Sequence, residues 1–441
     1  MRKLILVTFI LFFAFLASGY SQSLNLRLNS SFYTWKRLDA VPETLKSATY
    51  TTHLTGYQNM AFDLNFGKWT FSTSLQTDED VINRNGRGFS YRFYDAFLKG
   101  SNLFNVLDLK LGRQYVSAGS GKGTIDGAHF KLKLGEKKEY QIIGYGGYLT
   151  PLAYDFDKEG YKKKLSENFL AGGQFLYYGI KDLYAGLSYA NKNRAMEPYW
   201  TTRADSVFNP MDYYVQPESQ ANQSAGLDLT YRLAKRHNLY GKLYYDFNRK
   251  RIFKGEFNGS FALNDKIKLS VGYDYKEPQL SVNTVFWVFN YQKYQEIQGG
   301  LDYLTKFMGT NINIYGRFGG VIYDKDNSLK FQLGVSSSSY GLGITKYTGY
   351  SGESEGAFAY FNHDIVKSFL ALTSSLNYSR YNLGNSNSDK VNVFGGTLGL
   401  TYRPVSRFSI DAQGQLMTNE IYKTDTRFLI GFNYWLFSNF N

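Results

Sequence analysis

The chain of 441 residues contains no cysteine. That excludes a disulfide framework and a lipoprotein anchor built on an N-terminal cysteine. Proline is scarce, with seven residues (Pro42, Pro151, Pro198, Pro210, Pro217, Pro278 and Pro404). Proline cannot donate to a strand ladder, so all seven are expected in loops or turns. The four histidines, His53, His129, His237 and His363, lack metal-ligand spacing. His363 beside Asp364 has no serine partner in a hydrolase motif, so no cofactor, metal or catalytic residue is expected. Past the first residues no apolar run approaches the ~20 residues of a spanning helix.

What is present points one way. Arg2 and Lys3, the apolar run Leu4 to Leu16 and the small residues Ala17-Ser18-Gly19 read as a secretory signal peptide. Cleavage is expected after Gly19 or Ser21, leaving residues 22–441 as one domain behind a 1–21 leader. Aromatics make up 18% of the chain, with 39 Tyr and 35 Phe. Tyrosine suits a membrane interface, where the ring is buried and the hydroxyl is wet.

From end to end the sequence repeats about ten residues of alternating apolar and polar side chains, followed by a turn. In Ala225–Leu233 the residues Ala225, Leu227, Leu229, Tyr231 and Leu233 share one face, and Gly226, Asp228, Thr230 and Arg232 the other. Short connections (Phe66-Gly67-Lys68, Gly135–Lys138, Ile180–Asp182, Asn264–Lys266, Pro404–Arg407) largely alternate with long polar ones (37–48, 78–87, 149–165, 193–221, 384–390). An exported, helix-free chain that enters lipid must pair every backbone group, and strands do this by closing into a barrel. The expected fold is all-β: an antiparallel up-and-down transmembrane barrel in the bacterial outer membrane, with about 18–22 strands and an even number. Leu329 to Tyr350 reads either as one strand or as a hairpin through Ser336–Ser339. The last strand, with Phe428, Ile430, Phe432, Tyr434 and Leu436 on one face, looks like the terminal signal read by the barrel-assembly machinery.

One hairpin can be registered. Leu107, Leu109 and Leu111 match Leu132, Phe130 and Ala128 when 111 lies opposite 128. That register sets Asp108 against Lys131, Lys110 against His129, Gly112 against Gly127 and Arg113 against Asp126. Arg113 and Asp126 then fall on the lipid-facing parity, where charge is costly at mid-bilayer. Either they form a rim ion pair, or bulges at the glycines turn them inward. The pair reads as a constriction-zone contact or as a clasp for the Tyr115–Thr124 segment, itself read as a flexible outer loop. Gly119–Thr124 lacks Ser or Thr after Lys122 and leads into a strand, so it is no phosphate-binding loop.

Tyr94–Leu98, Leu107–Gln114 and Ile125–Gly127 together resemble a recurring hairpin of bacterial porins, including alginate-export-like and phosphate-selective porin-like barrels. The resemblance implies a solute channel and, for the alginate-export type, about 18 strands.

The formal charge of +13 becomes +11 once Arg2 and Lys3 are removed. Export argues against nucleic acid, leaving lipopolysaccharide phosphates outside or an anion bias inside as uses for the charge. Inward candidates are Asp108, Lys110, Arg113, Asp126, His129, Lys131, Arg232, Lys242, Lys268 and Arg317. The loop 193–221, with Tyr199, Trp200, Arg203, Tyr213 and Tyr214, is a candidate constriction loop suited to stacking on sugars. The acidic run Asp78-Glu-Asp80 reads as a solvated loop. The expected function is passive diffusion of small hydrophilic solutes with a weak anion preference. Export of an acidic polysaccharide, a non-conducting scaffold and an enzyme are the alternatives. The expected partners are outer-membrane lipids, lipopolysaccharide, the assembly machinery and small solutes, with the oligomeric state open.

Overall fold

A computed structural model of the protein describes residues 23–38, 50–82, 90–150, 164–195, 198–204, 209–215, 220–278, 293–307, 309–324, 327–349, 353–382, 390–419 and 424–439. The leader 1–21, Pro42, Pro151 and Pro217 lie outside them. Among the described residues no helix is long and apolar enough to cross a membrane.

Strands carry the chain throughout. They are β1 (Ser23–Leu38), β2 (Tyr50–Phe66), β3 (Trp69–Asp80), β4 (Ser90–Leu103), β5 (Leu107–Ala118), β6 (Gly121–Leu134), β7 (Tyr140–Leu149) and β8 (Phe169–Tyr177). Next come β9 (Leu183–Arg194), β10 (Tyr199–Ala204), β11 (Pro210–Val215), β12 (Gln220–Leu233), β13 (His237–Asp246), β14 (Arg251–Ala262), β15 (Ile267–Lys276) and β16 (Tyr294–Phe307). The last eight are β17 (Thr310–Tyr323), β18 (Asn327–Ser336), β19 (Tyr340–Gly349), β20 (Glu353–Val366), β21 (Leu370–Asn382), β22 (Val391–Val405), β23 (Phe408–Thr418) and β24 (Asp425–Asn439).

Twenty-two strands form one sheet, and β10–β11 form a separate two-stranded hairpin. The sheet is an antiparallel meander in which β9 pairs with β12 and β24 returns to pair with β1. It is therefore closed, with no free edge. The count falls at the top of the sequence-derived range and above the 18 or so implied by the alginate-export resemblance. Two compact units are distinguishable within the chain: Met1–Lys99, Asn258–Tyr273 and Gln295–Asn441 form one, and Gly100–Phe257 with Asp274–Tyr294 the other.

The alternation has the sense of a lipid-facing sheet. In β12 the apolar Leu227, Leu229, Tyr231 and Leu233 are the exposed residues, while Ser224 and Asp228 on the other face are buried. In β24 the exposed set is Phe428, Ile430, Phe432 and Tyr434. A water-soluble sheet would bury its apolar face; this one turns it outward, where a bilayer solvates it. Polar side chains then line the inside.

Some expectations need correction. Pro404 lies within β22, not in a turn, and Pro210 opens β11. Pro404 is tolerated because the β22–β23 register is irregular between Tyr402 and Val405, where no ladder bond is needed. Asp78, Glu79 and Asp80 belong to β3 and pair with Tyr57, Gly56 and Thr55 of β2, so they are not a loop. Ser336–Ser339 is a turn: the Ser337 hydroxyl accepts the backbone N–H of Ser339 at 3.2 Å and of Tyr340 at 3.0 Å, reversing the chain between β18 and β19.

The seam that closes the sheet carries an inward amide ladder. Asn59 Nδ2 donates to Asn29 Oδ1 at 3.2 Å, and Asn29 Nδ2 donates to Asn433 Oδ1 at 2.6 Å. Asn433 Nδ2 donates in turn to Asp411 Oδ2 at 2.6 Å. Asn29 thus ties β2, β1 and β24 together through side chains as well as backbone. Asn29→Ala removes two of these bonds and is expected to cost about 1–3 kcal/mol. A lower urea midpoint for unfolding from phospholipid vesicles would report it; an unchanged midpoint would mean the ladder is dispensable.

Candidate functional site

The β5–β6 register is the one derived from the apolar pattern: Leu111 faces Ala128, Lys110 faces His129, Asp108 faces Lys131 and Arg113 faces Asp126. Asp108 makes its ion pair diagonally, with Lys133 Nζ at 2.7 Å, and accepts the Asn102 backbone N–H at 2.8 Å. Arg113 grips Asp126 with two bonds of 2.8 Å, Nε to Oδ1 and Nη2 to Oδ2. The register runs through Gly112 and Gly127 without a slip, so no bulge turns this pair inward. It stays on the parity of Leu111 and the exposed Tyr115.

β6 stays paired with β7 through Ile125 opposite Leu149, and the Thr150 N–H donates to the Thr124 carbonyl at 3.1 Å; past that point the hairpin leaves the wall. Gly112 sits at φ +121°, which L side chains rarely adopt. A Cβ on Gly127 would overlap the Gly146 carbonyl and Gly147 Cα of β7. That close contact is the β6–β7 pairing itself, with Gly127 opposite Gly147. Past Gly112, residues on the inward parity of β5 are buried: Gln114, Val116 and Ala118 are 1, 1 and 2% exposed. With Ile125 they pack on Ile143, Tyr145, Leu149, Leu170 and Leu176, all on the inner face of β7 and β8.

The tip reaches farther still. The Ser120 backbone N–H donates to Ser188 Oγ of β9 at 3.0 Å, and the Ser120 hydroxyl donates to the Ser224 carbonyl of β12 at 3.2 Å. In a meander β6 pairs with β7, so touching β9 and β12 requires the tip to cross β7 and β8 on the polar face. Gly121 sits against the Tyr145 ring so tightly that a Cβ would collide with its hydroxyl. The Tyr115–Thr124 segment is therefore not a flexible outer loop. It is two continuing strands and a two-residue turn, folded onto the inside of the wall. Sequence reading passed over the signal: Val116, Ala118 and Ile125 put apolar groups on the parity that is polar elsewhere.

Beside the tip lies a cavity of about 230 Å³, lined by Ser120, Lys122, Lys192, Ser224, Tyr244 and Lys254. Lys254 is paired with Glu256 at 2.9 Å, and Lys242 lies 3.5 Å from Glu256 and 3.9 Å from Asp228. Asp228 also accepts the Tyr244 hydroxyl at 3.4 Å. Lys122, Lys192 and Arg194 have no carboxylate partner among the described residues: Lys192 donates to the Lys122 carbonyl at 3.4 Å and Arg194 to the Thr150 carbonyl at 3.4 Å.

The other candidates are scattered. Lys131 lies opposite Ile143, and His129 opposite Tyr145. Arg232 is exposed near a short turn, opposite Asn238. In the other unit Arg317 holds Asp302 with two bonds, at 2.8 and 2.9 Å, and Lys268 lies on the inward parity of β15. Tyr199, Trp200, Tyr213 and Tyr214 sit on the β10–β11 hairpin, where Trp200 faces Tyr214 and their rings lie 5.1 Å apart. Trp200 is 70% exposed. Arg203 faces Met211 in that hairpin.

No protein-family model matches the sequence, and no curated protein matches it. Among solved structures, OccAB4 of Acinetobacter baumannii aligns over 96% of this chain and 100% of its own at 10% identity, with a TM-score of 0.45. OccK5 (OpdH) of Pseudomonas aeruginosa aligns over 95% and 98% at 11% identity, with a TM-score of 0.43. The translocation pore of the P pilus usher PapC aligns over 94% and 99% at 8% identity, also at 0.43. Likenesses this distant assign no solute and no role to any residue.

The docked tip makes two measurable demands. With no native cysteine, S120C/S188C is expected to cross-link on mild oxidation and shift gel mobility; a tip standing out in solvent would leave the pair reduced. The Tyr145 hydroxyl is buried without a hydrogen-bond partner among the described residues. Tyr145→Phe is therefore expected to leave stability unchanged or raise it by about 1 kcal/mol, whereas Ile125→Ala should cost about 2–4 kcal/mol. Both are read from urea unfolding in vesicles.

Proposed function

We propose that the protein is a porin-like outer-membrane channel through which small hydrophilic solutes diffuse passively. The observation that carries this reading is the closed sheet of 22 strands with its apolar residues outward and its polar residues inward. A closed sheet of so many strands encloses more room than its own side chains fill. Lipid satisfies the outer face and water the inner one. The work asked of the protein is selection by size and charge, with no bond made or broken and no cofactor.

In this reading the β5–β6 tip narrows the passage, a role that sequence reasoning gave to the loop 193–221. A weak preference for anions comes from Lys122, Lys192 and Arg194, because Lys133, Lys242, Lys254, Arg317 and Lys330 are each neutralised by a neighbouring carboxylate. The same pairing argues against export of an acidic polysaccharide, which needs an unbroken basic track. The outward face of β24 is the surface offered to the assembly machinery, and the long connections face the outside and its lipopolysaccharide.

Single-channel recording of the refolded protein in a planar bilayer tests the reading. The expected result is a steady open conductance, with a reversal potential in a salt gradient showing a slight excess of chloride over potassium permeability. Shortening the β5–β6 hairpin to an Asn-Gly turn after Gln114 is expected to raise the conductance. Lys192→Gln combined with Arg194→Gln is expected to move the reversal potential toward non-selectivity. A correctly folded barrel that passes no current would overturn the channel reading in favour of a plugged scaffold.

A further inference from the structure

The inner face of the seam carries a second cavity, of about 260 Å³. Two adjacent rows of inward side chains build it. One row runs across the strands as Trp435, Arg27, Ala61 and Ser74, each directly opposite the next. The other is the amide row Asn433, Asn29, Asn59 and Gln76 in the same registers. Tyr94 of β4 closes the far side, donating its hydroxyl to Gln76 Oε1 at 2.6 Å. The small side chains of Ala61 and Ser74 leave a trough between Trp435 at one end and Tyr94 at the other.

The chemistry of this trough is specific. Trp435 and Tyr94 remain 41 and 42% exposed, and the Arg92 guanidinium lies over the Tyr94 ring, 5.2 Å from its centroid. The Trp435 indole N–H has no hydrogen-bond partner among the described residues. Asn29 and Asn59 each spend one amide hydrogen on the ladder and keep the other. Two cations and two carboxylates surround it: Arg27 lines the trough and Arg92 lies over Tyr94, while the ladder ends on Asp411 and Ser74 bonds to Asp95. Same-face residues along a strand lie about 6.7 Å apart, and four strand spacings from β24 to β4 span about 19 Å before the side chains lean in. That is a narrow slot, long enough for more than one ring.

We propose that this trough binds a neutral saccharide, with Trp435 and Tyr94 packing on the C–H faces of its rings and the Asn29–Asn59 amides hydrogen-bonding its hydroxyls. Aromatic faces take up apolar surface without charge, and a few placed amides orient a ligand that is otherwise bound by contact area. A small inorganic anion would use neither ring. The inference rests on the channel reading only in that the inward face must meet solutes, and it adds the class of solute that lingers there. It also moves carbohydrate recognition away from the exposed Trp200–Tyr214 pair, which lies on a different hairpin.

The test is isothermal titration of maltotriose, cellotriose and chitotriose into the full-length refolded protein in zwitterionic micelles, paired with current block by the same sugars in the bilayer. Saturable binding of at least one sugar is expected. W435A and Y94A should each weaken it by about tenfold or more, and W200A should leave it unchanged. Heat-modifiable gel migration checks that each variant is folded. Absence of binding for all three sugars, or binding that survives W435A and Y94A together, overturns the proposal. Binding by a barrel that carries no current would keep the site and overturn the channel; current without binding would do the reverse.

Discussion

Everything in this protein follows from the requirement that no backbone N–H or C=O be left unpaired in lipid. A strand meets it only with neighbours on both sides, so the last strand must find the first. The β24–β1 ladder is where that requirement is met, from Ser23 opposite Asn439 to Tyr33 opposite Leu429. The amides of Asn29, Asn59 and Asn433 repeat the closure at side-chain level on the wet side. Closure then dictates the rest. One face must satisfy acyl chains and the other must satisfy water, and the sequence can vary only within that rule.

The same rule explains how inward structure is made. Polar groups at the inner face pair where they can, as Arg317 with Asp302 and Lys330 with Glu296 do. Apolar groups on that face are stranded unless something covers them. Ile143, Leu149, Leu170 and Leu176 are covered by the end of the β5–β6 hairpin, which supplies Val116, Ala118 and Ile125 in return. The hairpin parts from β7 beyond Thr124 without breaking its own ladder, since the β5–β6 register continues to the tip. The Arg113–Asp126 pair spans the two strands just before that point, where Asp126 is still opposite Tyr148 of β7.

Much of this was legible in the amino-acid order. Period-two alternation identified the barrel and registered β5 on β6 residue by residue, because a slip of one position would exchange the two faces. The proline argument held at Pro198 and Pro278; it failed at Pro210, which opens β11, and at Pro404, where a local irregularity removes the need for a donor. The inward fold was not read, although Gly112, Gly127 and the misplaced apolar residues Val116, Ala118 and Ile125 were all in view. Alternation tells which face a side chain takes, not whether the strand itself departs from its sheet. Nor could it foretell the trough. Trp435 and Tyr94 are separated by 341 positions in the chain and come to line one trough only because the sheet closes.

The tucked tip also bears on how the cell surface is seen by others. Antibodies, bacteriophages and proteases arriving from outside sample the connections that project from a barrel, and such connections vary under that scrutiny. Gly119 and Ser120 join β5 to β6, yet the contacts of this tip are with Tyr145, Ser188 and Ser224 on the inner wall. A segment so placed is held by the inner wall, even though Lys122 remains exposed. Its sequence therefore answers to Tyr145, Ser188 and Ser224 before it answers to anything outside.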